Sequence, residues 1–150
     1  MILISHRGNV DGIQGTENHP DYIDEAISKG FDVEIDVRKY RTTGLWLGHD
    51  SSTYQTDEEW LLSRKDNLWI HAKNFAALEL LLKLNLRVFY HSKEQHSVIG
   101  NTHVIWSHNI IEATHNSIIP LLDVDNLETW RDMIGTTDVY GICSDYVGKW

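Results

Sequence analysis

The sequence predicts an α/β fold with parallel strands, because segments of helical and strand periodicity alternate along the chain. The segment FDVEIDV at 31–37 alternates apolar and acidic residues without a break, which is typical of a strand. Two flanking segments, 20–30 and 74–85, carry apolar residues at helical spacing and begin with the good helix starters Pro20 and Asn74. A chain of 150 residues of this kind is expected to form one domain over residues 1–150.

The other predicted elements are short. ILIS at 2–5 is a buried strand that runs into a loop rich in turn formers, and RKY and LWLGH form a small hairpin around Gly44. Periodicity is weaker beyond His91. The remaining predicted strands are 68–73, 86–91, 103–106, 117–123 and 140–146, and the last predicted helix is 126–135.

Charge and cysteine content exclude some classes of protein. Lys and Arg number 13 against 22 Asp and Glu, a net charge of -9, which excludes a surface built to neutralise nucleic acid or to lie on anionic lipid. Cys143 is the single cysteine, so no internal disulfide forms. With neither a signal peptide nor a membrane span in the pattern, we expect cytoplasmic residence.

The alternation in residues 31–37 puts Glu34 and Asp36 on one face of the strand. Their side chains would start about 6.6 Å apart, where two negative charges repel each other by about 2.5 kcal/mol at an effective dielectric constant near 20. A hard divalent ion such as Mg²⁺ or Ca²⁺ would relieve that repulsion. The alternative is an antiparallel sheet whose acidic face lies in water.

Basic groups stand where predicted strands end. His6 and Arg7 follow ILIS, His49 follows the apolar run of the hairpin, and His71 and Lys73 share one face of LWIHAK. Arg matches phosphate oxygens, and two histidines can divide the proton transfers that cleavage of a phosphodiester needs. Each residue also has a purely structural interpretation, in which the histidines are merely hydrogen-bonded or exposed and Lys73 reaches solvent.

The other histidines lack the tight spacing of a zinc site on a helix and are predicted to be surface or loop residues. They are His19, His91, His96, His103, His108 and His115.

Four motifs in order, SHRG, the pair Glu17 and Asn18, FDVEIDV and LGHD, resemble the N-terminal half of the glycerophosphodiester phosphodiesterase family. They cover residues 2–50. LWIHAKN and YGICSDYV look like a later strand and the last strand of that family. Two departures are visible: His19 stands where the family has Thr, and His71 stands where it has a third acidic metal ligand.

The resemblance implies a fold and a set of roles. The fold is a compact or shortened TIM-like (β/α) barrel, with several helices missing because a full barrel needs about 200 residues or more. The missing helices would leave the outer faces of some strands uncovered, which predicts that these faces are either buried in a homo-oligomer or polar. The implied roles are acid–base catalysis by His6 and His49, metal binding by Glu34 and Asp36, and phosphate binding by Arg7 and Lys73, with Glu17 orienting the site or approaching the metal.

The predicted function is a metal-dependent phosphodiesterase acting on a small phosphodiester of the glycerophosphodiester type. Mg²⁺ or Ca²⁺ is the expected metal, and Mn²⁺ or Zn²⁺ becomes an option because His71 supplies an imidazole. A second hypothesis is a module with the same fold that binds a phosphodiester without efficient chemistry. A third, which follows from composition only, is a zinc protein that uses some of the 9 histidines.

Overall fold

The computed structural model describes residues 1–122 and 124–150, and in these residues the chain forms ten strands and four α-helices. The strands are β1 Ile2–His6, β2 Asp32–Tyr40, β3 Gly44–Leu47, β4 Tyr54–Thr56, β5 Leu68–Ala72, β6 Val88–Phe89, β7 His96–Val98, β8 Ile105–Ser107, β9 Ser117–Pro120 and β10 Gly141–Ser144. The helices are α1 Pro20–Ser28, α2 Glu58–Ser63, α3 Phe75–Lys83 and α4 Leu127–Gly135.

Most elements predicted from periodicity are confirmed, and the helix starts are the expected ones. Pro20 opens α1, and the Asn74 side chain caps α3 by accepting from the Ala77 amide at 3.0 Å. The strands predicted at 86–91 and 103–106 shorten to β6 and β8, and the last residue of the strand predicted at 117–123 lies outside the described residues. Three elements, β4, α2 and β7, have no counterpart in the sequence prediction.

One continuous sheet joins all ten strands. Its main path is β6-β5-β2-β1-β10-β9-β8-β7, in which every pair is parallel except β7 with β8. The long strand β2 continues past β1 and pairs antiparallel with β3, which pairs in turn with β4. The predicted hairpin is therefore confirmed as an extension of β2.

The expected α/β TIM-like barrel is wrong, because the sheet is a mixed, strand-rich, curled half-barrel. Helices α1 and α3 follow β1 and β5, but the connections from β6 to β7 and from β8 to β9 contain no α-helix among the described residues. Those connections are too short for the helix of a parallel crossover. Only an isolated bridge between Val88 and Gly100 links β6 to the segment after β7.

The two faces of the sheet have separate apolar cores. On the convex face, Val33, Ile35 and Val37 of β2 pack with residues of α1 and α3. On the concave face, a second cluster contains Ile4, Trp69, Phe89, Ile99, Val104, Trp106, Ile118 and Cys143. The apolar set of β2 thus faces the helices, and its acidic set faces the concave side.

No helix in the described part of the chain is both long enough and apolar enough to cross a bilayer. Strands β7 and β8 expose Val98 and Ile105, which are register partners across the pair. The homo-oligomer remains a prediction.

Candidate functional site

Parallel pairing brings four of the predicted site residues to one end of the concave face. The register sets His6 of β1 beside Glu34 of β2, and Asp36 of β2 beside His71 of β5. Asp145 follows β10, the other neighbour of β1. All five side chains are buried, although each is polar or charged. Burial of so many titratable groups is costly unless they are paired, so their partners decide what the site can do.

Asp36 has the densest set of polar partners. Arg7 Nε lies 3.1 Å from its Oδ2, while His71 Nδ1 and Lys73 Nζ lie 3.2 and 3.6 Å from its Oδ1. Asn18 donates to Oδ2 at 3.0 Å and accepts from the Asp36 amide at 2.9 Å. Burial alone would raise the pKa of Asp36, but His71, Arg7 and Asn18 outweigh burial and hold that pKa well below its usual range.

Glu34, unlike Asp36, has few polar partners that favour its charged form. Its Oε2 is 3.8 Å from His6 Nε2 and accepts no hydrogen bond. Burial, reinforced by the nearby Asp36 charge, raises the pKa of Glu34 to about 8. Glu34 is thus a buried carboxyl group that holds a proton at neutral pH unless a cation replaces that proton.

Glu34, Asp36 and His71 form a buried group with the spacing of metal ligands. Each offers one ligand atom, and these atoms all lie within 4.8 Å of one another. Glu34 Oε2 is buried and accepts no hydrogen bond, whereas Asp36 Oδ1 faces His71 Nδ1 at 3.2 Å and Lys73 Nζ at 3.6 Å. Two carboxylates with one imidazole suit Mn²⁺ or Zn²⁺, as well as a more weakly held Mg²⁺.

His6, Glu17 and Asp145 form a second group with the spacing of metal ligands, but hydrogen bonds already join its members. His6 Nδ1 lies 2.7 Å from Asp145 Oδ1, and Asn9 Nδ2 donates to Asp145 Oδ1 and Glu17 Oε1, both at 2.7 Å. Glu17 also faces Arg7 at 3.4 Å. We interpret this group as a network that orients His6 and Arg7.

The His6–Asp145 contact changes the proton affinity of His6. Burial lowers the pKa of His6, but the hydrogen bond that His6 donates to Asp145, together with the negative charges of Glu34 and Asp145, outweighs burial and raises the pKa above its ordinary value. Neither Asp145 nor Asn9 was among the predicted site residues. The available signal was the final acidic residue of YGICSDYV and the asparagine directly after SHRG.

His49 lies in a tight loop after β3. The Gly48 amide donates to the Asp36 carbonyl at 3.1 Å, and Arg38 donates to the His49 carbonyl, so β2 holds both ends of the turn. Gly48 has φ +143°, and a Cβ there would meet the Ser51 carbonyl at 2.1 Å, so only glycine fits.

The side chain of His49 is part of a solvent-accessible cleft rather than of the buried cluster. Its Nδ1 is 2.7 Å from Asp50 Oδ1. The cleft, of about 210 Å³, is also lined by Arg7, Glu17 and Asn18. Arg7 therefore joins the buried cluster to the cleft. Its Nε lies beside Asp36, and its side chain also lines the cleft that contains His49.

Two histidines predicted to be surface or loop residues continue the site along the sheet. His91 stacks on His71 with ring centroids 4.3 Å apart, and His108 meets His91 edge to face at 5.0 Å. Burial, together with His71, lowers the pKa of His91 to about 4, and the same causes lower the pKa of His108. The two rings extend the site as an uncharged wall at neutral pH, which sequence spacing could not indicate because they lie in the loops after β6 and β8, two strands that only the tertiary structure brings close together.

Comparisons with family models, with curated proteins and with solved structures found no match to this chain. The resemblance to glycerophosphodiester phosphodiesterases therefore rests on the sequence motifs and stays a prediction.

Proposed function

We propose that the chain is a metal-dependent phosphodiesterase that cleaves a small phosphodiester of the glycerophosphodiester type, with His6 and His49 as its acid–base pair. The observation that carries the proposal is the convergence of Arg7 and Lys73 with the buried carboxyl groups of Glu34 and Asp36 at one strand end. A phosphodiester is an anion, so it needs fixed cations in a chain whose net charge is -9.

Two basic side chains supply the phosphate contacts. Arg7 presents a planar guanidinium at the boundary between the buried cluster and the cleft, where it can bind phosphate oxygens. Lys73, directly after β5, adds a second positive charge beside Asp36. Both side chains are held in place by Asp36, so they are oriented before substrate arrives.

Proton transfer falls to the two histidines. One takes a proton from the attacking hydroxyl, which belongs to the substrate or to water, and the other gives a proton to the oxygen of the alcohol that leaves when its P–O bond breaks. Asp145 holds the ring of His6 through Nδ1, which leaves Nε2 to face the site. A divalent cation held by Glu34, Asp36 and His71 would polarise the phosphoryl oxygens.

A second candidate function is a module that binds a phosphodiester without turning it over. The position of His71 favours it, because Nδ1 of this ring faces Asp36 at 3.2 Å, in the place where the resembled family has a third carboxylate. A weaker metal site would keep the phosphate contacts and lose the chemistry.

The test is release of alcohol from a glycerophosphodiester such as glycerophosphocholine by the purified chain with Mg²⁺, Mn²⁺ or Ca²⁺. His6→Ala should lower the rate by about 10²–10⁴-fold, the usual contribution of a positioned general acid or base. The matched control is His103→Ala, since His103 is an exposed histidine outside the site. Full activity in His6→Ala would contradict the acid–base assignment.

Glu34→Gln separates the two candidates. Turnover that is present in the native chain and lost in Glu34→Gln would exclude the binding module. Binding of the phosphodiester by calorimetry, with no turnover under any of the three metals, would exclude the enzyme.

A further inference from the structure

An apolar groove lies at the ends of β8 and β9, beyond the proposed site. It consists of two adjoining clefts of about 540 and 300 Å³ that share His108, Ile110 and Trp130. Ile111 lines the first cleft and is 87% exposed, and Leu122 lines the second and is 39% exposed. We call this surface the apolar groove. Its combined size is that of a site for a small ligand.

One wall of the groove is a turn that polar contacts hold in place. The 3₁₀ turn Ile110–Glu112 begins where Asn109 Oδ1 accepts from the Ile111 amide at 3.0 Å. Glu112 Oε2 lies 2.8 Å from His96 Nε2 of β7, which ties the turn to the sheet. Ile110 and Ile111 are thus held on the groove side by polar contacts at both ends of the turn.

A row of touching histidine rings leads from the proposed site to the groove. His108, which lines both clefts, contacts His91, and His91 stacks on His71, which belongs to the candidate metal cluster. The described lining residues of the groove carry no carboxylate, ammonium or guanidinium group. A group that follows these rings from the phosphate therefore leaves the charged region and enters an uncharged one, in which Gln95, Asn109, Asn126 and Thr129 accompany the apolar residues of the first cleft and the second cleft is mainly apolar.

We propose that the apolar groove binds an uncharged, aliphatic alcohol group of the substrate, so that the preferred phosphodiesters carry a long alkyl ester on one side; this inference rests on the proposed function. Arg7 and Lys73 hold the phosphate, and the ester group extends along His71, His91 and His108 to Ile110 and Trp130. An apolar ester group in the groove would explain why aliphatic residues are exposed there, because the ester covers them only while substrate is bound.

The experiment compares methyl 4-nitrophenyl phosphate with octyl 4-nitrophenyl phosphate, below the micelle concentration, by release of 4-nitrophenolate. The leaving group is the same, so the difference in kcat/KM measures the alkyl group alone. Burial of a few methylenes favours the octyl ester by at least about tenfold, since each buried methylene contributes about fourfold. Equal kcat/KM for the two esters would overturn the inference and leave the proposed function intact.

Ile111→Ser tests the groove itself. This substitution at a highly exposed residue should reduce the octyl-to-methyl ratio about threefold or more. Phe75→Ser is the matched control, because Phe75 is 76% exposed on α3 and does not line the groove. A ratio that falls equally in both variants would show general adhesion to apolar surface and would overturn the inference.

If neither ester is cleaved, the proposed function fails, and calorimetry with methylphosphonate and octylphosphonate decides about the groove. Tighter binding of octylphosphonate that weakens in Ile111→Ser would support the groove as a binding site. Equal binding of the two phosphonates would overturn it.

Discussion

The two halves of the sheet support the candidate site in different ways. In the first half, β1, β2 and β5 pair over three to five residues and are backed by α1 and α3. In the second half, β8 and β9 pair over two residues, β7 runs antiparallel to β8, and α4, between β9 and β10, is the only α-helix among the described connections.

Most of the charged residues and the apolar residues of the candidate sites come from different halves of the sheet. Glu34, Asp36 and His71 come from long, helix-backed strands, whereas the second half adds His108, the apolar groove and the supporting Asp145. Charged groups must be held within fractions of an ångström to act together, and this requires packed strands. An apolar wall tolerates looser support, because the hydrophobic effect is not directional. Four predictions test this difference between the two halves.

The largest expected effect separates Asp36 in the first half from Asp145 in the second. Asp36→Asn leaves Arg7 and Lys73 facing a neutral amide in a buried site, which should lower the free energy of unfolding by about 3–5 kcal/mol. Asp145→Asn keeps an acceptor for His6 and should cost about 1–2 kcal/mol. Urea denaturation at pH 7 measures both, and equal losses would contradict the comparison.

The second prediction concerns pH in metal-free protein. The folded pKa of Glu34, about 8, lies above its ordinary value of 4.5, so the folded state keeps a proton that the unfolded state has lost. Stability therefore falls as pH rises from 6.5 to 8, by about 1–2 kcal/mol, and the raised pKa of His6 acts in the same direction. Thermal melts of native and Glu34→Gln protein in a chelator measure this slope.

The wall histidines should act with the opposite sign and in another window. The pKa of His91 is lowered to about 4, so the unfolded state binds more protons at this residue between pH 4 and 6.5, and the contribution of His91 to stability rises with pH over that range, against the opposite contribution of Glu34 above pH 4.5. Above pH 6.5 the change of stability with pH comes from Glu34 and His6 rather than from His91 and His108. Melts in which Glu34→Gln declines as steeply as the native chain between pH 6.5 and 8 would contradict the raised pKa of Glu34.

The smallest expected effect compares two asparagine caps. Asn74 accepts from the Ala77 and Lys39 amides and donates to the Lys39 carbonyl, so it joins α3 to β2. Asn74→Ala should cost about 1–2 kcal/mol, whereas Asn109→Ala, which removes the cap of one 3₁₀ turn, should cost about 0.5 kcal/mol. Asn74→Asp preserves the acceptor and serves as the control in the same denaturation assay.

Sequence reasoning was most successful where local pattern and tertiary packing agree. The strict alternation of residues 31–37 predicted both the strand and the separation of its apolar and acidic faces, and β2 is built that way. Parallel pairing then accounts for the proximity of His6 to Glu34. His49 was predicted from its motif, and its position in the cleft depends on a glycine turn that the motif includes.

Prediction failed where structure depends on distant pairing. The barrel was implied by the family resemblance, which rests mainly on residues 2–50, but the segments after β6 and β8 contain no α-helix among the described residues, and β7 pairs antiparallel with β8. Asp145 and His91 were missed because nothing near them in the chain shows that they would meet His6 and His71.

Local periodicity, helix starters and residue chemistry were enough to determine the strands of the first half, the acidic face of β2, and the basic groups at the strand ends. Only the tertiary structure decided that the sheet curls into a half-barrel, that Glu34 keeps a buried oxygen without a hydrogen bond, and that His71, His91 and His108 form one wall. The physical reason is range: periodicity records how each segment meets its own neighbours, whereas the register between distant strands depends on the packing of the whole core.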